Sequence, residues 1–462
     1  MDKNASLKRN ALLVSVLSSF LSPFTASSIT VALTNIGHDL SLDAVTLGWV
    51  PTAFLIAAAA FLVPFGRASD LYGRKKIFLW GMILSNISAI FAGFATSGAT
   101  LIVWRAVQGL GSSMIFGTGI TIVASVYPAR QRGRALGIVL TSVYVGLSAG
   151  PFIGGVLTNH LGWRSLFFTN FIIGTIVILV TLWKIKEEWA EARGEKLDLA
   201  GSLVYVVSFS ATMYGLTILP SREGILFLSG GILGLFIFGI WETRIEHPIF
   251  EVRLFLQNRA FLFSNLAVIV NYSATFAVTF LISLYLQYVQ KLSPQAAGLV
   301  LISQPSMQAI LTPFTGRLSD RIEPRIVSAF GMAILMLGLV FFAFIGPATP
   351  LAFIVLNLLF LGFGYALFVS PNTNAVMSSV ERKFLGVASG TLATMRVIGQ
   401  TLSMAIVMFI FALWIGRVQI TGAYSGQFLH SIRIIFLIFT CLTFFGIFTC
   451  LASGKIHKSR KS

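Results

Sequence analysis

Two arginines interrupt long apolar stretches of the sequence: Arg105 lies within residues 99–127 and Arg396 within residues 386–414. A guanidinium group inside a membrane-spanning helix costs at least ~2.5 kcal/mol on insertion scales, so it faces a polar interior and has a partner or a task. Such a group can attract an anion or take part in proton coupling, and Arg105 is the stronger coupling candidate. The structural alternative is that each arginine bonds to backbone carbonyls or polar side chains of neighbouring helices.

Seven amide side chains also lie inside apolar stretches and could face the same polar interior. We take Gln108, Asn271 and Gln304 as cavity candidates together with Arg396. Hydrogen bonding between packed helices is the alternative role for most of these amides. The full set is Gln108, Asn271, Gln304, Gln308, Asn372, Asn374 and Gln400.

Carboxylates are absent from the interior of every apolar stretch. All sixteen Asp and Glu residues, and the five histidines, map to predicted loops or helix ends. A proton relay normally needs a titratable group in its pathway. The sequence also has no phosphate-binding loop and no metal-ligand spacing, and its two cysteines, Cys441 and Cys450, both fall in the last apolar run. We therefore predict no enzyme active site, no metal and no cofactor.

The composition places these residues in a lipid bilayer. Of 462 residues, 56% are hydrophobic and 11% charged, with a mean hydropathy of +0.86, whereas soluble chains carry about 25% charged residues. The net charge of +17 is spread in short clusters between apolar runs. That distribution is typical of loops on one side of a membrane and argues against nucleic-acid binding. The first apolar run lacks a small-residue cleavage site, which predicts that it stays in the protein.

Fourteen apolar runs are long enough to span a bilayer, which needs about 20 residues per helix. With the N-terminus inside, 26 of the 33 Lys and Arg residues fall on the inner side, five in outer loops and two within helices. This asymmetry predicts that both termini face the cytoplasm. The predicted helices lie near residues 10–35, 47–66, 77–97, 99–127, 134–159, 165–183, 198–219, 224–241, 260–288, 295–315, 327–345, 350–372, 386–414 and 430–452.

The sequence repeats itself in one orientation. Residues 66–70 read Gly-Arg-Ala-Ser-Asp, and residues 316–320 read Gly-Arg-Leu-Ser-Asp, 250 positions later. Gly150 and Gly399 match at nearly the same offset. Repeats of this kind commonly surround a binding site near the middle of the membrane. The predicted units are an N-terminal six-helix bundle at 1–190, two inserted helices at 191–255 and a C-terminal six-helix bundle at 256–462.

The short loop between the second and third helices combines glycine with charge. Gly66 and Gly73 permit a tight reversal and close approach of helices. Asp70 can face a helix N-terminus, where negative charge is favoured, and Arg74 helps to hold the loop on the cytoplasmic side. The alternative is that this loop only anchors the topology.

The fifth helix carries small residues at helical spacing. Gly146, Gly150 and Gly154 recur every four residues and form one bare stripe, which lets a partner helix approach closely. Pro151 removes a backbone hydrogen bond and can bend the helix, and Gly155 extends the run. Ordinary small-residue packing is the alternative interpretation, and the two are compatible.

These motifs resemble the major facilitator superfamily, in particular its fourteen-helix drug:proton antiporter branch, over nearly the whole chain. Residues 66–75 match the superfamily loop signature, except that Ala68 stands where leucine is usual. Residues 101–109 resemble its helix-four signature and residues 146–155 its helix-five antiporter signature. The resemblance implies an all-α major facilitator fold and alternating access by two rocking bundles.

The resemblance also implies roles for particular residues. It implies that Gly66, Asp70, Gly73 and Arg74 form a conformational latch in the outward-facing state, with Asp320 as a weaker second latch. The branch often carries an aspartate in helix one, where this chain has Thr25. Without a buried carboxylate to offset a cation's desolvation, we predict a neutral, zwitterionic or anionic substrate.

The leading prediction is a secondary active transporter that exports small organic molecules, with proton coupling inferred from the family. An uptake permease or uncoupled facilitator of the same fold is the alternative, and a non-transporting receptor or scaffold is a weaker one, because no long segment lies outside the membrane. We expect a monomer in the cytoplasmic (inner) membrane, in contact with lipid, substrate and protons.

Overall fold

The computed structural model describes residues 3–190, 192, 194–381, 384–420 and 424–454; the side chains of residues 3–5, 120, 124, 129, 130, 132–134 and 320 lie outside the described part. The described chain is a series of helices without strands. The first six are α1 (Lys3–Asp39), α2 (Ala44–Tyr72), α3 (Arg74–Gly93), α4 (Gly98–Val126), α5 (Ala129–Leu161) and α6 (Arg164–Lys184).

Two long helices and a short one follow, and then the second set. The helices that follow are α7 (Leu199–Thr217), α8 (Arg222–Glu242) and the short α9 (Val252–Gln257). The second set comprises α10 (Arg259–Leu284, continued by a π-helical turn at Tyr285–Val289), α11 (Pro294–Leu301), α12 (Ser303–Arg321), α13 (Pro324–Ala343), α14 (Leu351–Ser378), α15 (Leu385–Trp414) and α16 (Ser425–Ala452).

Thirteen of the described helices are long and apolar enough to cross a membrane. The remaining predicted span, residues 295–315, is not one continuous helix, because it is divided at Ile302 into α11 and α12. Pro305 has no backbone N–H to donate to the Leu301 carbonyl, so it cannot extend the helix that ends at Leu301. The predicted tenth span therefore corresponds to two helices, α11 and α12, which occupy the same part of the chain.

The sequence repeat appears in the packing of the helices. α1 packs on α5 as α10 packs on α15, and α2 packs on α4 as α12 packs on α14. A Cβ atom at Gly150 would lie 2.9 Å from the Phe24 carbonyl of α1, and one at Gly399 would lie 2.7 Å from the Ile269 carbonyl of α10. Glycine at these equivalent positions allows the backbones to approach closely. Below, "first half" means α1–α6 and "second half" means α10–α16.

The inserted helices α7 and α8 pack on each other as a hairpin, and α7 also contacts α2 of the first half and α15 of the second. The Tyr205 hydroxyl donates to the Ala59 carbonyl of α2 (3.3 Å). The rings of Trp49 and Tyr214 lie 5.7 Å apart. Trp241 Nε1 donates to the Asp198 carboxylate (2.8 Å), which joins the two ends of the hairpin. The hairpin therefore covers the seam between α2 and α15.

The two described chain ends, the start of α1 and the end of α16, lie on one face of the helix array, here called the terminal face. Arg259 at the start of α10 donates to the Ala452 carbonyl at the end of α16 (3.2 Å), which places both helix ends on that face. The loops after α1, α3, α5, α7 and α13 lie on the other side, here called the opposite face. These two faces give the reference frame for the site.

Candidate functional site

The two halves meet closely near the opposite face. Gly155 of α5 lies against α11, where an added Cβ would be 2.5 Å from the Pro294 carbonyl, and Gly298 of α11 lies directly against the Pro151 carbonyl. On the other side of the array, a Cβ at Gly48 of α2 would lie 2.9 Å from Met408 Cγ of α15. These approaches bring α5 against α11 and α2 against α15, so the array is closed at this face.

Hydrogen bonds between the halves reinforce the same closure. Gln287 Nε2 donates to the Val31 carbonyl (2.9 Å) and Ser283 Oγ to the Thr30 carbonyl (3.1 Å). The loop after α15 adds a backbone bond from Ala44 N–H to the Val418 carbonyl (3.0 Å). Each bond joins the last turns of α1 or the start of α2 to the second half. The contacts therefore close the path at the opposite face.

Toward the terminal face, glycines of both halves lie in open surroundings. Cβ positions at Gly66, Gly137, Gly386 and Gly390 would meet no atom within 4 Å. Two helical stripes of small or polar residues, all at least partly exposed, run from this face to mid-height. The α5 stripe is Gly137, Thr141, Tyr144 and Ser148, and the α15 stripe is Gly386, Ser389, Ala393, Arg396 and Gln400.

The helix-five glycines have two different neighbours. Gly146 and Gly154 face α1 of their own half, where added Cβ atoms would lie 2.5 Å from the Phe20 carbonyl and 2.6 Å from Ser28 Cβ. Gly150 lies against α1 between them. Pro151 and Gly155, in contrast, contact the opposite half through α11. The predicted antiporter motif thus combines packing within a half with the closure between halves.

Arg105 is buried inside the first half, with 1% of its surface exposed. Its Nε donates to the Val50 carbonyl (3.2 Å), its Nη1 donates to Gln108 Oε1 (2.5 Å), and its guanidinium carbon lies 4.5 Å from the centre of the Phe54 ring. No described carboxylate pairs with it. Arg105 and Gln108 form one unit, and its role in coupling stays a prediction.

A small cavity lies beside this unit. Its volume is about 10 Å³, and Gln108, Thr25 and Asn170 contribute to its lining; that volume holds about one water molecule. Gln108 Nε2 has no hydrogen-bond partner in the described chain, and Thr25 Oγ1 donates to Asn170 Oδ1 (3.0 Å). Gln108 therefore faces this internal cavity rather than the space between the α5 and α15 stripes.

The remaining cavity candidates separate into exposed and buried positions. Arg396 lies at mid-height on the α15 stripe and is partly exposed. Asn271 is fully buried, and its Nδ2 lies 3.1 Å from Met332 Sδ, within the second half. Gln304 is 8% exposed on α12. Arg396 is thus partly accessible, whereas Asn271 packs between helices, and the cavity role of these residues stays a prediction.

The latch residues lie at the terminal face. Asp70 Oδ1 accepts hydrogen bonds from Arg74 Nη2 (2.8 Å) and Nε (3.1 Å), and Arg74 Nη1 donates to Ser125 Oγ of α4 (2.5 Å). Gly73 joins α2 to α3 with φ of 113°, a conformation that favours glycine. These side-chain bonds join the loop to α4 of the same half. Asp320 lies in α12, but its side chain is outside the described residues, so the second latch stays a prediction.

The segment after α6 is a second partner of this loop, which the sequence did not indicate. The Trp189 carbonyl accepts from Arg74 N–H (2.8 Å), and Ala192 N–H donates to the Asp70 carbonyl (3.0 Å). The Glu188 carboxylate accepts from the N–H groups of Lys75 (2.8 Å) and Lys76 (3.1 Å). Glu188 thereby satisfies backbone donors at the start of α3, where negative charge is favoured.

Replacing Glu188 with alanine is expected to lower the stability of the folded protein by about 0.5–1 kcal/mol, because two N–H groups of α3 lose their acceptor. The measurement is the free energy of unfolding in detergent micelles. Glu187→Ala is the matched control, since Glu187 is exposed and has no hydrogen bond in the described chain. Equal stability of the two variants would contradict the capping role.

Comparison with known proteins identifies the family of the chain. A family model described as Major Facilitator Superfamily matches residues 15–404, and the same model matches residues 265–461. The chain belongs to the major facilitator superfamily. It is a multi-pass membrane transporter with the all-α fold of that superfamily, and not an enzyme.

Two relatives of the chain are named as a multidrug resistance protein and as a transporter. It is 30% identical to "Multidrug resistance protein Stp" of Mycobacterium tuberculosis, over 87% of this chain and 76% of that protein. It is 27% identical to "Riboflavin transporter RibZ" of Clostridioides difficile, over 87% of this chain and 88% of that protein. The solved peptide transporter POT superposes with a TM-score of 0.73 at 15% identity, covering 99% of this chain and 100% of that one, which supports the fold.

Three tyrosines near Arg396 were not among the candidates that the sequence indicated. Tyr272, Tyr365 and Tyr144 come from α10, α14 and α5, and all lie at mid-height. As single aromatic residues in apolar helices they resemble ordinary packing. The sequence signal for Tyr144 is the spacing of four, three and four residues along the α5 stripe. The α15 stripe, which carries Arg396, has a similar spacing.

Proposed function

We propose that this facilitator exports small organic molecules by proton antiport, with its two halves rocking about a central site. The observation that carries the proposal is the asymmetry between its faces. The halves are packed together at the opposite face, through Gly155, Gly298 and Gly48, whereas two stripes of small or polar residues are at least partly exposed toward the terminal face. Such a path, open to one side only, fits one of the two states that alternating access requires.

The orientation proposed here places the terminal face in the cytoplasm of a cell with a cytoplasmic (inner) membrane. The excess of Lys and Arg in the loops on that side supports it. The structure then represents an inward-facing state, which receives its substrate from inside the cell. The rocking units we propose are residues 1–190 and 256–462, with residues 191–255 inserted between them, and the working form is a monomer.

Export is the proposed direction because of the helix-five motif. Pro151 and Gly155 form part of the closure between α5 and α11, so the motif takes part in sealing the outward path. The name of the Mycobacterium tuberculosis relative, a multidrug resistance protein, agrees with this direction. When the seal opens, we propose that the Asp70 loop contacts the second half and stabilises the outward-facing state.

Arg105 is the proposed coupling residue. It holds a positive charge in the first half, bonded to Gln108, beside a cavity that fits one water molecule. Proton movement through that water would change the charge balance around the guanidinium group. Uncoupled facilitation is the second candidate, because the described carboxylates all lie at helix ends or in loops, and a proton relay normally uses a titratable group.

The deciding experiment uses everted membrane vesicles in which a proton gradient is imposed and a dye reports internal pH. Addition of a transported substrate is expected to release protons from wild-type vesicles, while Arg105→Ala vesicles lose that release. Arg222→Ala is the control, since Arg222 is exposed at the start of α8 on the opposite face.

Substrate transport without any change in pH would contradict antiport and favour uncoupled facilitated transport. Proton release that survives in Arg105→Ala vesicles would keep antiport but remove Arg105 as its centre.

A further inference from the structure

The second half places a positive charge among phenol rings at mid-height. The guanidinium carbon of Arg396 lies 5.3 Å from the centre of the Tyr272 ring. The rings of Tyr272 and Tyr365 lie 5.8 Å apart and are nearly perpendicular, at 78°. The Tyr365 hydroxyl is hydrogen-bonded to Thr275 Oγ1 (2.9 Å). These contacts hold the rings of Tyr272 and Tyr365 in fixed orientations beside the Arg396 guanidinium group.

The first half contributes one further phenol to this cluster. Tyr144 of the α5 stripe lies beside Thr312 of α12 and within electrostatic range of both Tyr272 and Arg396. Tyr144 and Arg396 therefore come from opposite halves and lie at a similar height in the helix array. The four residues Arg396, Tyr144, Tyr272 and Tyr365 are called the Arg396 cluster below.

Arg396 has no anionic partner among the described residues. Its Nε is buried without a hydrogen-bond partner, and no described residue forms a salt bridge with it. Arg105 differs, because it is bonded to the Val50 carbonyl and to Gln108. A buried guanidinium normally has a hydrogen-bonding or charged partner. Arg396 is partly exposed, which lets that partner be a ligand.

We propose that the Arg396 cluster binds a small organic anion with a flat aromatic body. A guanidinium group bonds a carboxylate or similar planar anion with two parallel hydrogen bonds. The tyrosine rings offer edges and faces against which an aromatic ring packs, and their hydroxyl groups can donate to the same anion. This inference rests on the proposed transport function, since it names the class of substrate.

The cluster also joins substrate binding to the conformational change. A ligand held between Tyr144 of the first half and Arg396 of the second contacts both moving units at once. A lipophilic cation would instead meet an unpaired guanidinium with no described carboxylate at that depth. Binding at this site therefore selects for negative charge.

The test measures binding to the purified full-length protein in detergent micelles by titration calorimetry. Three probes share one aromatic body: 2-naphthoate, the neutral 2-naphthamide, and the cation 2-naphthyltrimethylammonium. Wild-type protein is expected to bind naphthoate at least about tenfold more tightly than naphthamide, because hydrogen bonds to a charged group are lost in the amide. The cation is expected to bind most weakly.

Variants locate that preference in the cluster. Arg396→Gln should remove the advantage of naphthoate over naphthamide, and Arg396→Lys should keep part of it, because lysine retains charge without the planar fork. Arg433→Gln is the matched control, since Arg433 lies in the second half near the opposite face and bonds only the Ile345 carbonyl in the described chain. Tyr144→Phe should weaken naphthoate binding by about three- to tenfold through loss of one hydroxyl group.

Equal binding of naphthoate and naphthamide by wild-type protein would overturn the proposal, and so would tighter binding of the cation or no measurable naphthoate binding. The wild-type comparison needs no variant, so a misfolded Arg396→Gln protein does not weaken the test. Arg396-dependent naphthoate binding in a protein that releases no protons in vesicles would leave this site standing and remove antiport.

Discussion

Oxidation of a Gly48→Cys, Met408→Cys double variant is expected to slow transport by at least about tenfold, and a reducing agent should restore it. A Cβ at Gly48 would lie 2.9 Å from Met408 Cγ, so two cysteine side chains there come within the usual disulfide separation of about 3.5–4.5 Å between Cβ atoms. The bridge would join α2 to α15 at the opposite face. Because a rocking mechanism needs these helices to separate, the bridge removes one of the two states.

The matched control is a Gly364→Cys, Leu335→Cys variant. A Cβ at Gly364 would lie 3.0 Å from Leu335 Cγ, and both residues belong to the second half. That bridge should leave transport near the rate of its reduced form. The background for both pairs replaces the free cysteines Cys441 and Cys450 with serine. Unchanged transport after complete oxidation of the first pair would show that the opposite face need not open.

Replacing Gly298 with leucine is expected to push the opposite face apart. The glycine lies directly against the Pro151 carbonyl, and its Cβ would be 3.4 Å from Phe152 Cα, so a larger side chain has no room. Overpacking of this kind costs about 1–3 kcal/mol, and a difference of that size shifts a two-state equilibrium by about 5- to 150-fold. The state that is closed at the opposite face loses that population, and transport falls accordingly.

The measurement is the rate at which a membrane-impermeant thiol reagent, added on the opposite face, modifies Ser283→Cys. Ser283 is fully buried and donates to the Thr30 carbonyl of the first half, so its modification reports opening between the halves. Gly239→Leu is the control, because a Cβ at Gly239 on α8 meets no atom within 4 Å. A slow, unchanged reaction in the Gly298→Leu protein would mean that α5 and α11 accommodate the leucine without opening.

The helices were predictable because their signal is the length of an apolar run, which the bilayer sets directly. The break at Ile302 was not predictable, because residues 295–315 are apolar enough on average to be predicted as one span. Its cause, Pro305, is visible in the sequence, but a proline in a membrane helix is often accommodated by a bend. The structure was needed to show that the helix ends there.

The candidate residues differ in how much of their environment can be inferred from the sequence alone. Arg105 could be singled out because a charge in an apolar helix is costly wherever it points, and it proved to be bonded within its own half. Asn271 looked similar in sequence but lies in packing, because burial alone does not say which neighbour an amide faces. Tyr144 offers only the spacing of its stripe as a sequence signal, since its relation to Arg396 exists only after the two halves are placed together.

The hairpin of α7 and α8 carries a dynamic consequence. Its first helix contacts α2 and α15 together, and the Tyr205 hydroxyl bonds α2 directly. If the halves rock as proposed, these helices move relative to each other, so α7 must slide along at least one of them in every cycle. The outer surface of α8 carries exposed apolar side chains such as Leu226, Leu233 and Phe236 and moves through lipid as it does so. Turnover is then damped by the viscosity of the surrounding acyl chains, and membrane fluidity becomes a control on the rate of transport.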